Sequence, residues 1–441
     1  MKENIFKKNW QKAIFLSKNT PVSRNRFVDF LRILSIMLVI IGHWLIVTAV
    51  VRDSGFWGTD VLSVLPGTHW LTWIFQIMSV FFIVGGYANS VSWKSHLSRQ
   101  GNFQGWFINR LRRLAWPTFP LIITWLVFTI ITQSFYVEPD LIRVGGQIAL
   151  QPVWFLVIYL LIVMFTPLAL WAWQKLGIWS VWMLTLFAIV IDVLRYGYEL
   201  DFLGWLNYVF IWLAVHQVGI AWQAGWFKEQ SRRAFWAITG FLVLLVLVKF
   251  GPYPLSMVNI PGEKIGNLFP PNISMLALAA FQGGILLLLE KRINRWLSKE
   301  KPWAVIVLLN GTTMTLFLWH VTVNALVIGV AYLLGGVGLR MEIGSLIWWL
   351  AKFIWIPIQF LVLSIFVLVF SRFERPKKLK EKNEISLIGM FIRTGLICVG
   401  LTIVALSGIS GDGLFDLNII ALLICAFGYA LLNFSMKHKG L

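Results

Sequence analysis

The chain has 441 residues, 58% of them hydrophobic and only 13% charged, and a formal net charge of +19. So large an apolar share, laid out in many runs of about twenty residues, excludes a soluble globular domain and describes an all-α polytopic membrane protein. The charge is not a nucleic-acid footprint: Lys and Arg gather in alternate loops (1–27, 94–113, 228–233, 291–301, 372–382), while the intervening loops hold Arg52, Arg143, Arg195, Lys264 and Arg340. That positive-inside asymmetry predicts a cell membrane protein, plasma or inner, with both termini cytoplasmic.

Residues 1–27 read as a basic cytoplasmic segment. Ile5, Phe6, Trp10, Ile14 and Phe15 recur among its lysines, which fits either a short helix on the inner leaflet or an unstructured basic tail. No signal peptide is expected. The first span, about 28–50, carries Asp29, Arg32 and His43 on one stripe with Ile36 and Val39. Arg32 and His43 are eleven residues apart, which on a helix leaves them about 20° apart in azimuth and about 16 Å in depth. Ionisable groups inside hydrocarbon mark a lined path or site by default.

A short outer loop with Asp53, Asp60 and His69 leads to span two, about 70–92, where Gln76, Ser79, Gly86 and Ser90 make a small, polar stripe. Such a stripe admits either a neighbouring helix or a ligand. The inner stretch NRLRRLAWP, 109–117, sets Arg110 and Arg113 on one helical face with Arg112 beside them. Guanidinium groups there suit phosphate oxygens, and a topogenic basic cluster has the same look.

Spans three to six are expected near 114–133, 152–173, 178–195 and 203–226, with Asp192 and Arg195 paired near the outer end of span five and His216 deep in span six. Span seven, 234–250, precedes a long outer loop, 251–271, rich in Pro, Gly and Asn, that either covers a cavity or simply connects. Span eight is placed at 272–290. The run 303–334 is too long for one span, and Gly311 with Thr312 and Thr313 predicts a break before His320. Span ten, 344–371, holds Lys352, which is expected to snorkel to the interface. A basic linker, 372–386, separates the 28–371 core from a 387–441 tail with two more spans, about 387–408 and 417–435. Cys398 and Cys425 lie in those last spans as small core residues, and no metal-ligand constellation is present.

In order along the chain, RFVDFLRILSIMLVIIGH, FFIVGGYANS, the arginines of 110–113, Trp154–Phe155 after Pro152, and LFLWH at 316–320 resemble the acyltransferase-3 family of integral membrane acyltransferases. The resemblance covers roughly 24–370. Its specific element is the arginine, ten residues and histidine of span one. It departs from the family where Gly85 stands in place of a frequent serine, and where LWH replaces a Tyr-Leu-x-His pattern.

The resemblance implies about ten helices forming an acyltransferase core, followed here by two C-terminal transmembrane helices. It also implies O-acetylation or a related transfer: an acyl group moves from acyl-CoA, used as donor substrate with no bound cofactor, to a hydroxylated acceptor such as a glycan or glycolipid. His43 then corresponds to the catalytic histidine and Arg32 to its partner arginine. Arg110, Arg113 and Arg112 correspond to the donor-binding arginines, and Asp29, Gly86, His216 and His320 are candidates to line the cavity. An imidazole supplies a base at neutral pH. The competing reading is a secondary transporter or lipid flippase, which shares many spans and a polar stripe but more often shows inverted repeats.

Overall fold

The computed structural model describes residues 5–21, 24–52, 55–135, 139–374, 386–410 and 417–433. In chain order the helices begin with α1 (Ile5–Lys18) and α2 (Arg26–Ile46). A two-stranded hairpin follows, β1 (Val47–Arg52) with β2 (Gly55–Asp60), and then the single turns α3 (Val61–Val64) and α4 (Thr72–Phe75). Next come α5 (Met78–Leu97), α6 (Phe103–Ala115), α7 (Thr118–Ser134), α8 (Pro139–Leu150), α9 (Pro152–Met164) and α10 (Thr166–Leu176). The chain continues through α11 (Trp179–Gly197), α12 (Asn207–Gln223), α13 (Gln230–Phe250), α14 (Ser274–Leu297) and α15 (Glu300–Asn310). It closes with α16 (Thr313–Leu333), α17 (Leu346–Phe370), α18 (Leu387–Ser407) and α19 (Ile419–Asn433).

Eleven helical segments among the described residues are long and apolar enough to cross a membrane, ten before residue 375 and one after, and Ile419–Leu432 is a shorter apolar helix. This is the expected all-α polytopic architecture. The break between α15 and α16 falls at Gly311 and Thr312 as predicted. Several boundaries differ from the sequence expectation, and span four, expected as one run over 152–173, is broken at Phe165 into α9 and α10. Residues 47–50 leave the helix for β1, because Val47, Thr48, Val50 and Val51 are β-branched and fit a pleated surface. Span two begins only at Met78, after a turn in which the Gln76 side chain accepts from the Met78 amide at 3.2 Å. The stretch before Pro152 forms the further helix α8.

The chain divides into two compact units. The first comprises residues 1–48, 58–94 and 162–313. Within it α1 packs along α15, tied by Trp303 Nε1 to Thr20 Oγ1 at 2.8 Å and by Lys18 to Glu300 at 3.4 Å. Ile33, Leu297, Trp303 and Ile306 form the apolar core beneath. The 251–273 loop, between α13 and α14, is ordered around Asp192. That carboxylate accepts from Asn207 Nδ2 at 2.8 Å, Tyr253 OH at 3.1 Å and the Ile273 amide at 2.8 Å. Asn267 and Asn272, both fully buried, knit the loop to itself. Arg195, expected to pair with Asp192, instead reaches Asp201 at 3.4 Å.

The second unit comprises residues 49–57, 95–161 and 314–441. Here β1 joins the loop after α16 through the Val51 amide and Leu339 carbonyl, 2.8 Å apart, over a small core of Ala49, Ile328, Ala331 and Leu339. Helix α18 packs on α6, α8 and α19.

Candidate functional site

The stripe on the first span survives folding because α2 is unbroken from Arg26 to Ile46, so eleven residues still carry His43 about 16 Å beyond Arg32. The helix starts on Asn25, whose Oδ1 accepts from the Phe27 amide at 3.1 Å, an ordinary N-cap. The Asn25 amide also reaches Tyr87 OH and Glu290 Oε1, each at 3.4 Å. Glu290 in turn pairs with Arg233 at 2.7 Å. The N-terminal end of α2 is therefore held by α5, α13 and α14 together.

One turn in, Asp29 is buried and splits its two oxygens between two guanidinium groups. Arg24 Nε lies 2.6 Å from Oδ2, and Arg32 Nη1 lies 3.1 Å from Oδ1. Arg32 Nη1 is also 3.3 Å from Asn310 Oδ1, and the Asn310 amide lies 3.5 Å from the Asp29 carbonyl. Asn310 is the last residue of α15, placed there by the break at Gly311, so the break turns an amide toward the stripe. Arg32 keeps 27% of its side chain exposed despite these bonds. Asp29, Arg32 and Asn310 thus hold a guanidinium in a fixed direction with part of its surface still accessible.

His43 lies in the last turn of α2, half-buried, and its carbonyl accepts from the Val47 amide. His216 is fully buried on α12, with the Asn89 amide of α5 donating to Nε2 at 3.2 Å. Gly86 stands at the same crossing. A Cβ there would lie 1.9 Å from the His216 carbonyl oxygen, and one on Gly219 would lie 2.0 Å from the Ile83 carbonyl oxygen. Gly86 of the span-two stripe, with Gly219 opposite, therefore serves close contact of α5 with α12, where backbone meets backbone.

In the second unit, Asn102 caps α6 by accepting from the Gly105 amide at 2.8 Å, and the helix presents its three arginines differently. Arg110 is half-buried over the Trp106 ring, its guanidinium carbon 4.8 Å from the ring centre; Arg112 is buried; Arg113 is exposed. The Trp154–Phe155 and LFLWH motifs meet, since Phe155 packs edge-on against Phe317 at 5.5 Å. His320, fully buried one turn on, has Nδ1 2.6 Å from the Phe317 carbonyl, which fixes the ring and leaves Nε2 as the acceptor nitrogen. Glu374 caps α16 from outside, its Oε1 accepting from the Thr315 amide at 2.7 Å and hydroxyl at 2.5 Å. Lys352 does not snorkel. It is 9% exposed and lies over the Trp348 ring at 4.7 Å, one turn back on α17.

Sequence reading missed Arg24, Asn310 and Glu374. Asn310 had a signal in the sequence, an amide ending an apolar run at a predicted break. Arg24 and Glu374 sit in basic segments that look topogenic. Among the described residues no three His, Cys, Asp or Glu side chains are grouped to hold a metal ion. A family model described as an acyltransferase domain matches residues 25–372, which takes in every residue of both clusters except Arg24 and Glu374. No curated protein and no solved structure matches the chain.

Proposed function

The chain belongs to the acyltransferase-3 family of integral membrane acyltransferases, and from that premise we propose an acyl-CoA-dependent O-acyltransferase. It moves an acyl group, acetyl above all, to a hydroxyl of a glycan or glycolipid, with His43 as general base. The acceptor oxygen attacks the thioester carbon while its proton passes to the His43 imidazole. The new C–O bond forms, the C–S bond breaks, and the coenzyme A thiolate recovers the proton from the imidazolium. A positioned base of this kind is worth about 10²–10⁴ in rate.

The supporting observation is the continuity of α2, with Arg32 braced by Asp29 and Asn310 at one level and His43 half-buried three turns beyond. At that separation Arg32 is no hydrogen-bond partner of His43; its work is to hold the donor while the pantetheine arm extends along the helix. Arg110 and Arg113, with Arg112, bind the donor's phosphates, a task for which forked guanidinium donors are suited. His216 is the acceptor-side candidate on the first unit and His320 on the second, Asp29 orients Arg32, and Gly86 is taken up by the α5–α12 contact. The protein works in the cell membrane with both termini in the cytoplasm, in agreement with the placement of basic loops.

The test is turnover and binding of radiolabelled acetyl-CoA by purified protein in lipid nanodiscs. Wild type binds and slowly cleaves the donor, His43→Ala binds without cleaving, and Arg113→Ala binds weakly. Failure of wild type to bind acyl-CoA would sink the reading and return the stripe to a transport path.

A further inference from the structure

The family match ends at residue 372, yet the chain continues through α18 and α19. These helices do not pack as independent spans. Helix α18 lies against α6, the helix that carries Arg110, Arg112 and Arg113. Helix α19 packs along α18 and sends Tyr429, 4% exposed, to the turn where α6 ends and α7 begins.

That turn has a backbone problem. Pro117 and Pro120 supply no amide hydrogen, and the Phe119 amide bonds the Trp116 carbonyl at 3.2 Å. The Ala115 carbonyl, which Phe119 would satisfy in a continuous helix, is left to side chains. Thr118 Oγ1 donates to it at 2.7 Å, and the single hydrogen of Tyr429 OH is shared between the same carbonyl, 3.3 Å away, and Thr118 Oγ1. The Tyr429 ring is packed edge-on by Phe119 at 5.4 Å and by Trp116 at 6.3 Å. A side chain more than 300 residues downstream therefore completes the hydrogen bonding of the turn that sets the direction of α6. Arg113 is two residues from Ala115, and Arg110 is five residues away, about 7.5 Å by helical rise.

We infer that the two C-terminal helices are a positioning clamp for the arginine helix, with Tyr429 as the positioning residue that fixes the α6–α7 turn and hence where Arg110 and Arg113 are presented. As a statement about donor binding this rests on the proposed acyl-CoA reading; as a statement about α6 it does not. Tyr429 touches no substrate. Its loss acts on donor affinity through α6, and the chemical step at His43 is untouched once donor is saturating.

The experiment compares full-length wild type, Tyr429→Phe and Thr118→Val in nanodiscs by two readouts, amide hydrogen exchange over residues 112–119 and acetyl-CoA affinity with kcat at saturating donor. Tyr429→Phe keeps the ring and its packing, and Thr118→Val, nearly isosteric, loosens the same turn from the other side should the first variant fold poorly. The expected result is faster exchange confined to that turn, with KM for acetyl-CoA raised about three- to tenfold, the range one buried hydrogen bond is worth, and kcat unchanged. Unchanged exchange in both variants overturns the clamp. Faster exchange with unchanged donor affinity overturns the positioning role. If wild type itself binds no acetyl-CoA, the donor reading fails, and faster exchange in the variants still supports the clamp on α6.

Discussion

The first unit buries two carboxylates at opposite ends, and their surroundings differ in kind. Asp192, near the C-terminal end of α11, is 2% exposed and its hydrogen bonds come from neutral donors: an amide side chain, a phenol and a backbone N–H. Asp29, in the first turn of α2, is almost as buried, but both its oxygens engage guanidinium groups that keep surface of their own, 50% for Arg24 and 27% for Arg32. A carboxylate closed by neutral donors consumes its hydrogen-bonding capacity within the fold, so it serves stability. One that hands its charge to part-exposed arginines leaves them donors to spend on something else. Under the proposed function two buried aspartates of one unit thus take different roles, Asp192 in stability and Asp29 in orienting Arg32.

The sharpest way to break this contrast is to cut the α2 stripe at its far end. His43→Ala is expected to lower turnover by about 10²–10⁴ while leaving the thermal unfolding midpoint and donor affinity close to wild type. A variant that unfolds instead would make the stripe structural and erase the distinction. At Asp192 the opposite pattern is expected. Asp192→Ala strands the Asn207 amide, the Tyr253 hydroxyl and the Ile273 amide away from water, at a cost of about 3–5 kcal/mol in total. Thermal unfolding in detergent should shift down sharply, with activity per folded molecule nearly unchanged. A large loss of turnover without loss of stability would move the outer loop into the active machinery.

How much of this contrast was legible beforehand follows from sequence separation. Asp29, Arg32 and His43 share one helix, so helical periodicity alone aligned them. The break at Gly311 was visible in the same way, from run length and composition. Asn310, by contrast, meets Arg32 across 278 residues, and no local pattern announces that pairing. The Asp192 knot draws partners from 15, 61 and 81 residues away. The nearby candidate, Arg195, looked like an i,i+3 partner but goes to Asp201. The three arginines of α6 could be named, but their division into stacked, buried and exposed depends on packing against Trp106 and on the C-terminal helices, which the sequence shows only as apolar runs.

A gentler cut tests whether Asp29 truly works through its arginines. Asp29→Asn keeps the size and one acceptor but removes the charge that orients Arg32. The expected effect is a rise in KM for acetyl-CoA of about tenfold, the loss of roughly one charge-assisted hydrogen bond, with little change in kcat. The fold should tolerate it, because Asn310 still holds Arg32 at 3.3 Å and the partner Arg24 returns half to solvent. Equal losses in KM and kcat would mean that Asp29 acts on the reacting atoms themselves.

The smallest expected effect lies at Arg24. Its bond to Asp29 is short, 2.6 Å, but the side chain is half-exposed, and pairs of that kind contribute about 0–1 kcal/mol. Arg24→Ala should therefore raise donor KM no more than about threefold. The increment should shrink as salt is raised toward about 1 M, where screening acts within about 3 Å. The Asp29→Asn effect should persist under the same conditions, because Asp29 and its bond to Arg32 are shielded from solvent on the protein side. The two variants thus separate the partners of one buried carboxylate, Oδ2 with the half-exposed Arg24 and Oδ1 with the more enclosed Arg32. An Arg24→Ala effect as large and as salt-resistant as that of Asp29→Asn would place Arg24 beside Arg32 in holding the donor.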